Sequence, residues 1–78
     1  MDFVKSLINF LKSKLFGDIE NGILVFTNAS ETLVIEIVDL AGAMIVGLSY
    51  DDNTDFFIIE SQEDVDDIKE RVNICLGE

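Results

Sequence analysis

The chain predicts an α+β fold of order α-β-β-β-β-α, a two-layer sandwich with two helices on one face of an antiparallel four-stranded sheet. Three observations carry this expectation. Apolar residues recur at helical spacing in the first and last segments, and the middle is rich in β-branched residues broken by turn-forming clusters. The connections between those runs are also too short for the crossovers that parallel strands need. Seventy-eight residues have room for one core, so residues 1–78 are read as a single α+β domain.

Residues 2–16 read as the first helix. Val4, Leu7, Ile8, Leu11 and Leu15 fall at helical spacings, with Lys5, Asn9 and Lys12 on the opposite face and Gly17 where a C-cap belongs. Residues 23–27 and 32–38 are β-branched runs with Asn28-Ala29-Ser30 supplying the turn between them. Asp39-Leu40-Ala41-Gly42 breaks the pattern before a third strand, residues 43–50. The Asp51-Asp52-Asn53-Thr54 cluster then turns the chain into a fourth, residues 55–60. Ser61-Gln62-Glu63-Asp64 has an N-capping serine followed three residues later by an acid, a variant of the capping box. Val65, Ile68, Val72 and Leu76 form the apolar stripe of the helix it starts, joined by Cys75, and Gly77 ends it.

Charge is distributed unevenly. The net value is −11. Residues 1–16 carry three lysines against one acid, and residues 17–78 carry only Lys69 and Arg71 against fifteen. Between Asp51 and Glu70 nine carboxylates surround the single Lys69. Direct nucleic-acid binding is disfavoured, since phosphates are neutralised by Lys and Arg, and an anionic membrane is disfavoured on the same ground. An apolar fraction of 49% sets the chain apart from disordered acidic tails. No apolar run approaches the roughly 18–20 residues of a membrane span, and the first residues do not resemble a signal peptide. With one cysteine and so no internal disulfide, the expected location is cytoplasmic.

Catalysis is not expected. The chain has no histidine, so the familiar Ser-His-Asp, Cys-His and His-metal arrangements cannot be assembled within it. Cys75 sits on an apolar stripe, where cysteine usually acts as a small hydrophobe. Asp51, Asn53 and Asp55 match the first positions of a calcium loop, but Phe56 replaces its glycine and Gln62 its closing glutamate, so a polar hairpin turn is the better reading. No cofactor or metal is expected. Phe3, Phe10 and Phe16 cannot all face one sheet, which makes a homodimer contact through the N-terminal helix, or through a sheet edge, an alternative role.

The acidic second half is the feature with functional content. Glu63 with Asp67 and Asp66 with Glu70 are like-charge i,i+4 pairs, each costing a few tenths of a kcal/mol in an isolated helix. A sequence shaped for solubility alone would intersperse lysines. Asp51, Asp52, Asp55, Glu63, Asp64, Asp66, Asp67 and Glu70 are therefore the candidate partner-binding residues.

The stretch Ser49-Tyr50-Asp51-Asp52-Asn53-Thr54-Asp55, with the apolar residues 56–59 and Glu60-Ser61 after it, resembles a hairpin of the phage-encoded uracil-DNA glycosylase inhibitors. Ile23-Leu24-Val25-Phe26-Thr27 is similar to a strand of the same family. The two pieces cover about a fifth of the chain, and that family places two helices before its sheet where one is expected here. In size and acidity the chain is also similar to anti-CRISPR and anti-restriction proteins. These resemblances imply a non-enzymatic inhibitor from a phage or mobile element, acting in the host cytoplasm. It would block a basic, nucleic-acid-handling host protein by presenting carboxylates where DNA phosphates lie. An immunity protein against a basic nuclease toxin would use the same electrostatics.

Overall fold

The computed structural model describes residues 2–77. It is an α+β chain in which α1 (Asp2–Lys14) is followed by five strands and then α2 (Gln62–Leu76). The strands are β1 (Phe16–Glu20), β2 (Ile23–Thr27), β3 (Leu33–Leu40), β4 (Ala43–Tyr50) and β5 (Asn53–Ile59). They form one antiparallel sheet in the order β1-β2-β3-β4-β5, so each strand pairs with its chain neighbour.

The sheet has five strands where the sequence predicts four. The extra strand is β1, and its first residues are those expected to close the first helix. Helix α1 stops at Lys14, and Leu15 makes a last backbone bond to the Leu11 carbonyl at 2.8 Å. Gly17 is a strand residue opposite Phe26 and not a C-cap. A Cβ on Gly17 would lie 2.9 Å from Cε1 of Phe26, so its missing side chain gives the fully buried Phe26 ring its place. β1 is short and exposed along its whole length, and carries no run of alternating apolar residues to announce it.

Three of the four hairpins use two-residue turns with both residues at positive φ: Asn21-Gly22 (54° and 80°), Ala41-Gly42 (53° and 83°) and Asp51-Asp52 (52° and 66°). This is the geometry whose twist matches the flanking strands and whose chemistry favours Asn-Gly. The β2–β3 loop is longer and is held by Asn28. Its Oδ1 accepts from the Leu33 amide at 3.1 Å, and its Nδ2 donates to Thr32 Oγ1 at 2.9 Å.

Alternation in the strands sorts residues onto two faces. Phe26, Leu33, Ile35, Ile37, Val46, Leu48 and Ile59 face the helices, which bury Val4, Leu7, Leu11, Val65, Ile68 and Val72 against them. Among the described residues no helix covers the other face. There Val38, Ile45 and Ile58 pair in one row across β3, β4 and β5, next to Leu40, Ala43 and Phe56. Phe56 and Ile58 are 74% and 57% exposed. The Phe56 ring lies along Gly47 opposite it, where an added Cβ would come within 3.3 Å.

The three aromatics assigned to the first helix separate. Phe3 and Phe10 are half-buried against the core, and Phe16 belongs to β1 and is 69% exposed. The exterior of α1 therefore carries no three-aromatic face. No helix among the described residues is long and apolar enough to cross a membrane.

Candidate functional site

Helix α2 orders most of the acidic residues. Its start is a closed capping box: the Asp64 amide donates to Ser61 Oγ at 3.4 Å, and Asp64 Oδ2 accepts from the Ser61 amide at 3.1 Å. The same oxygen accepts from the Glu60 amide at 2.8 Å. Asp64 thus serves the chain's entry into the helix, and its carboxylate is turned inward to backbone amides. Gly77, left-handed at φ 76°, caps the other end and donates to the Asn73 and Ile74 carbonyls.

With Val65, Ile68 and Val72 buried, the 100° step of the helix places Glu63, Asp67 and Glu70 on the side facing away from the core. Asp66 lies on the flank and accepts from Gln62 Nε2 at 3.0 Å. From Glu63 to Glu70 this ridge runs about 10 Å along the axis. The two cations of the helix point elsewhere. Lys69 Nζ donates to Ser6 Oγ on α1 at 2.7 Å and sits 5.7 Å from the centre of the Phe10 ring. Arg71 pairs with Asp55, which lies half-buried on the helix-facing side of β5. Among the described residues no cation is in ion-pair contact with Glu63, Asp66, Asp67 or Glu70.

Asp51 and Asp52 project from the β4–β5 turn, both exposed. The turn adjoins the C-terminal half of α2, and Asp51, Asp55, Arg71 and Cys75 share one shallow depression. The last turn of α2 carries no basic residue, so the partial negative charge of its carbonyl end is left uncompensated there. Helix α1 ends at the same end of the sheet, with Lys12 and Lys14 in its own last turn. Glu31 of the β2–β3 loop adds a further carboxylate beside Asp51 and Asp52.

The eight predicted residues therefore have four different settings. Glu63, Asp66, Asp67 and Glu70 line the exterior of α2, and Asp51 and Asp52 stand at the turn beside its far end. Asp55 is neutralised by Arg71, and Asp64 is held in the capping box. The acids form a strip from the turn along the helix, not a compact cluster. Glu31 was missed. Alternate connections of a meander share one end of the sheet, so the β2–β3 and β4–β5 connections are neighbours in the predicted four-stranded order as in the observed five-stranded one, and the sequence reading did not draw that relation.

Cys75 is half-buried against the core. Burial pushes its thiol above the ordinary value, partly opposed by Arg71, with the Asp55 charge adding to the rise. Among the described residues no group of three or more His, Cys, Asp or Glu side chains is placed to hold a metal ion.

No protein-family model matches the chain, and no significant match is found among curated proteins or solved structures.

Proposed function

We propose that the protein is a non-enzymatic acidic binding protein that occupies the nucleic-acid site of a basic partner, its carboxylates taking the place of phosphates. The observation that carries this reading is the strip Asp51-Asp52, Glu70, Asp67, Glu63, exposed and without ion-pair partners among the described residues, with the cations of α2 engaged elsewhere: Lys69 with Ser6 and Arg71 with Asp55. Two local features support it. Asp51 and Asp52 both take the left-handed conformation in a turn whose geometry favours Asn-Gly. Glu63 and Asp67 repel each other one turn apart, as do Asp66 and Glu70. Charge is kept in both places against local conformational preference, a pattern expected where a surface serves a partner.

The mechanism is electrostatic. A dense anionic strip steers the protein toward an Arg/Lys-lined cleft and raises the association rate, while short-range contacts set dissociation. The proposed partners are host nucleic-acid enzymes or defence complexes, in keeping with the inhibitor resemblance of the β4–β5 hairpin.

Affinity capture from a bacterial lysate with the wild-type chain and with a Glu63→Lys, Asp67→Lys, Glu70→Lys variant tests the reading. All three positions are exposed and outside the core. The expected result is a basic partner held at low salt, lost in the variant and weakened at least about tenfold between about 50 and 200 mM salt. Affinity for the captured partner that is indifferent to salt would overturn the charge-mimicry mechanism.

A further inference from the structure

We infer that the uncovered face of the sheet is the contact surface of a homodimer, in which two copies stack sheet on sheet to give four layers, α/β/β/α. The inference is independent of the anionic strip, because it concerns the opposite side of the molecule.

The strand sequences already point to a second covering layer. An antiparallel sheet with one wet face normally alternates apolar and polar residues, whereas strands covered on both sides read as continuous apolar runs. β4, Ala-Met-Ile-Val-Gly-Leu-Ser-Tyr, contains no charged residue on either face. In β5 the alternation is reversed at its polar position: Asp55 lies on the helix side, where Arg71 neutralises it, while Phe56 and Ile58 face outward. Among the described strand residues the acids of the open face are Asp18, Glu20 and Glu36, and no lysine or arginine lies there.

The layout of that face matches an interface. Its apolar part is the Val38–Ile45–Ile58 row with Leu40, Ala43 and Phe56 around it, on the β3–β5 half, and Glu36 borders that part on β3 between Val25 and Gly47. Ser49 and Thr54, whose hydroxyls lie 3.0 Å apart, stand toward one end, and Asp18 and Glu20 lie on the β1 side. An apolar patch with polar residues beside it is a common element of protein contacts. The five strands, of 5, 5, 8, 8 and 7 residues and about 4.8 Å apart, span about 500 Å² in projection. With side-chain relief this approaches the roughly 800 Å² per partner of a standard stable interface.

Two considerations make the occupant a second copy. A domain of this size leaves a large share of its surface uncovered, and stacking two sheets about 10 Å apart supplies the second core layer it lacks. Charge permits it as well. Face-to-face stacking puts the two α2 ridges on the outer surfaces, separated by both sheets and both helix layers. That distance is several times the screening length of about 8 Å at physiological salt, so the α2 ridges do not oppose the contact, and the acids of the open face, Asp18, Glu20 and Glu36, lie on β1 and β3 while its β4–β5 half is uncharged.

Sedimentation equilibrium of the wild-type chain at about 1–100 µM tests this, beside Ile58→Glu, Leu40→Glu and the α2 variant Asp67→Lys. Ile58 and Leu40 are 57% and 61% exposed in the single chain, so neither substitution empties the core. The expected result is twice the 8.7 kDa chain mass for wild type and Asp67→Lys. Ile58→Glu and Leu40→Glu should raise the dissociation constant at least about a hundredfold while circular dichroism stays folded. A wild-type chain that is monomeric throughout overturns the inference and leaves the face to a different partner. A dimer that survives both open-face substitutions overturns it too. If Ile58→Glu fails to fold, Leu40→Glu and the wild-type mass still decide.

Discussion

At the scale of single residues, left-handed backbone and close approach account for the least replaceable positions. Ala41 sits at φ 53°, where a Cβ is disfavoured by roughly 1–2 kcal/mol and asparagine is better tolerated. Ala41→Asn creates an Asn-Gly turn and is expected to stabilise the fold by about 0.5–1 kcal/mol in urea denaturation. The double change Asp51→Asn, Asp52→Gly should stabilise the β4–β5 hairpin by a similar amount and at the same time weaken partner binding. Stability and binding moving together would argue against a functional role for that turn. Gly17→Ala works in the opposite direction, since its Cβ would lie 2.9 Å from the fully buried Phe26 ring; a loss of about 1–3 kcal/mol is expected. Cys75 keeps its proton beyond the ordinary thiol range because ionisation is opposed by burial. The unfolded thiol then ionises first as pH rises, so this group favours the folded state below about pH 9 and loses that contribution as pH climbs through its folded value. Alkylation of the native chain should be slow at neutral pH, and its rate should turn upward at a higher pH than in denaturant.

Among the elements, α2 and β2 to β5 were legible because each announces itself by a period and boundary residues, and α1 by its period alone, since the Gly17 read as its end lies in β1. The capping serine Ser61 and terminal Gly77 bracket α2 in sequence and in structure alike. Ser61→Ala is expected to cost about 1 kcal/mol, and Asp64→Ala a comparable amount, since the box is reciprocal. β1 was not legible. Phe16-Gly17-Asp18-Ile19-Glu20 begins one residue after α1's last core residue, and its glycine imitates a helix stop. Only the partner strand, with Phe26 needing a flat neighbour, makes Gly17 a strand residue, and that information is tertiary. The acidic strip was legible in part for a related reason. Local spacing separated the outer face of α2 from its buried stripe, but it could not reveal that Arg71 reaches sixteen residues back to Asp55. Nor could it show that Lys69 turns to Ser6, sixty-three positions away.

For the whole molecule, self-repulsion and topology are the governing features. A net charge of −11 on a body 31 × 28 × 23 Å destabilises the compact state at low ionic strength. Raising salt from about 10 mM to about 500 mM should therefore increase stability by about 0.5–1 kcal/mol, read as a higher melting temperature, while it weakens partner binding. A melting temperature that falls over this range would place the dominant charge interactions among attractive pairs. The strand order, in which every strand pairs with its neighbour in sequence, has a consequence for the chain as it leaves the ribosome. The sheet can assemble hairpin by hairpin as each turn emerges, because no pairing waits for a distant segment. Helix α1 is made before the sheet but finds its neighbour α2 only after all five strands have followed. Its apolar stripe of Val4, Leu7 and Leu11 stays incompletely covered through most of synthesis. A helix that must wait in this way is exposed to capture by chaperones, and nascent-chain truncations ending before residue 62 should bind them more strongly than the finished protein does.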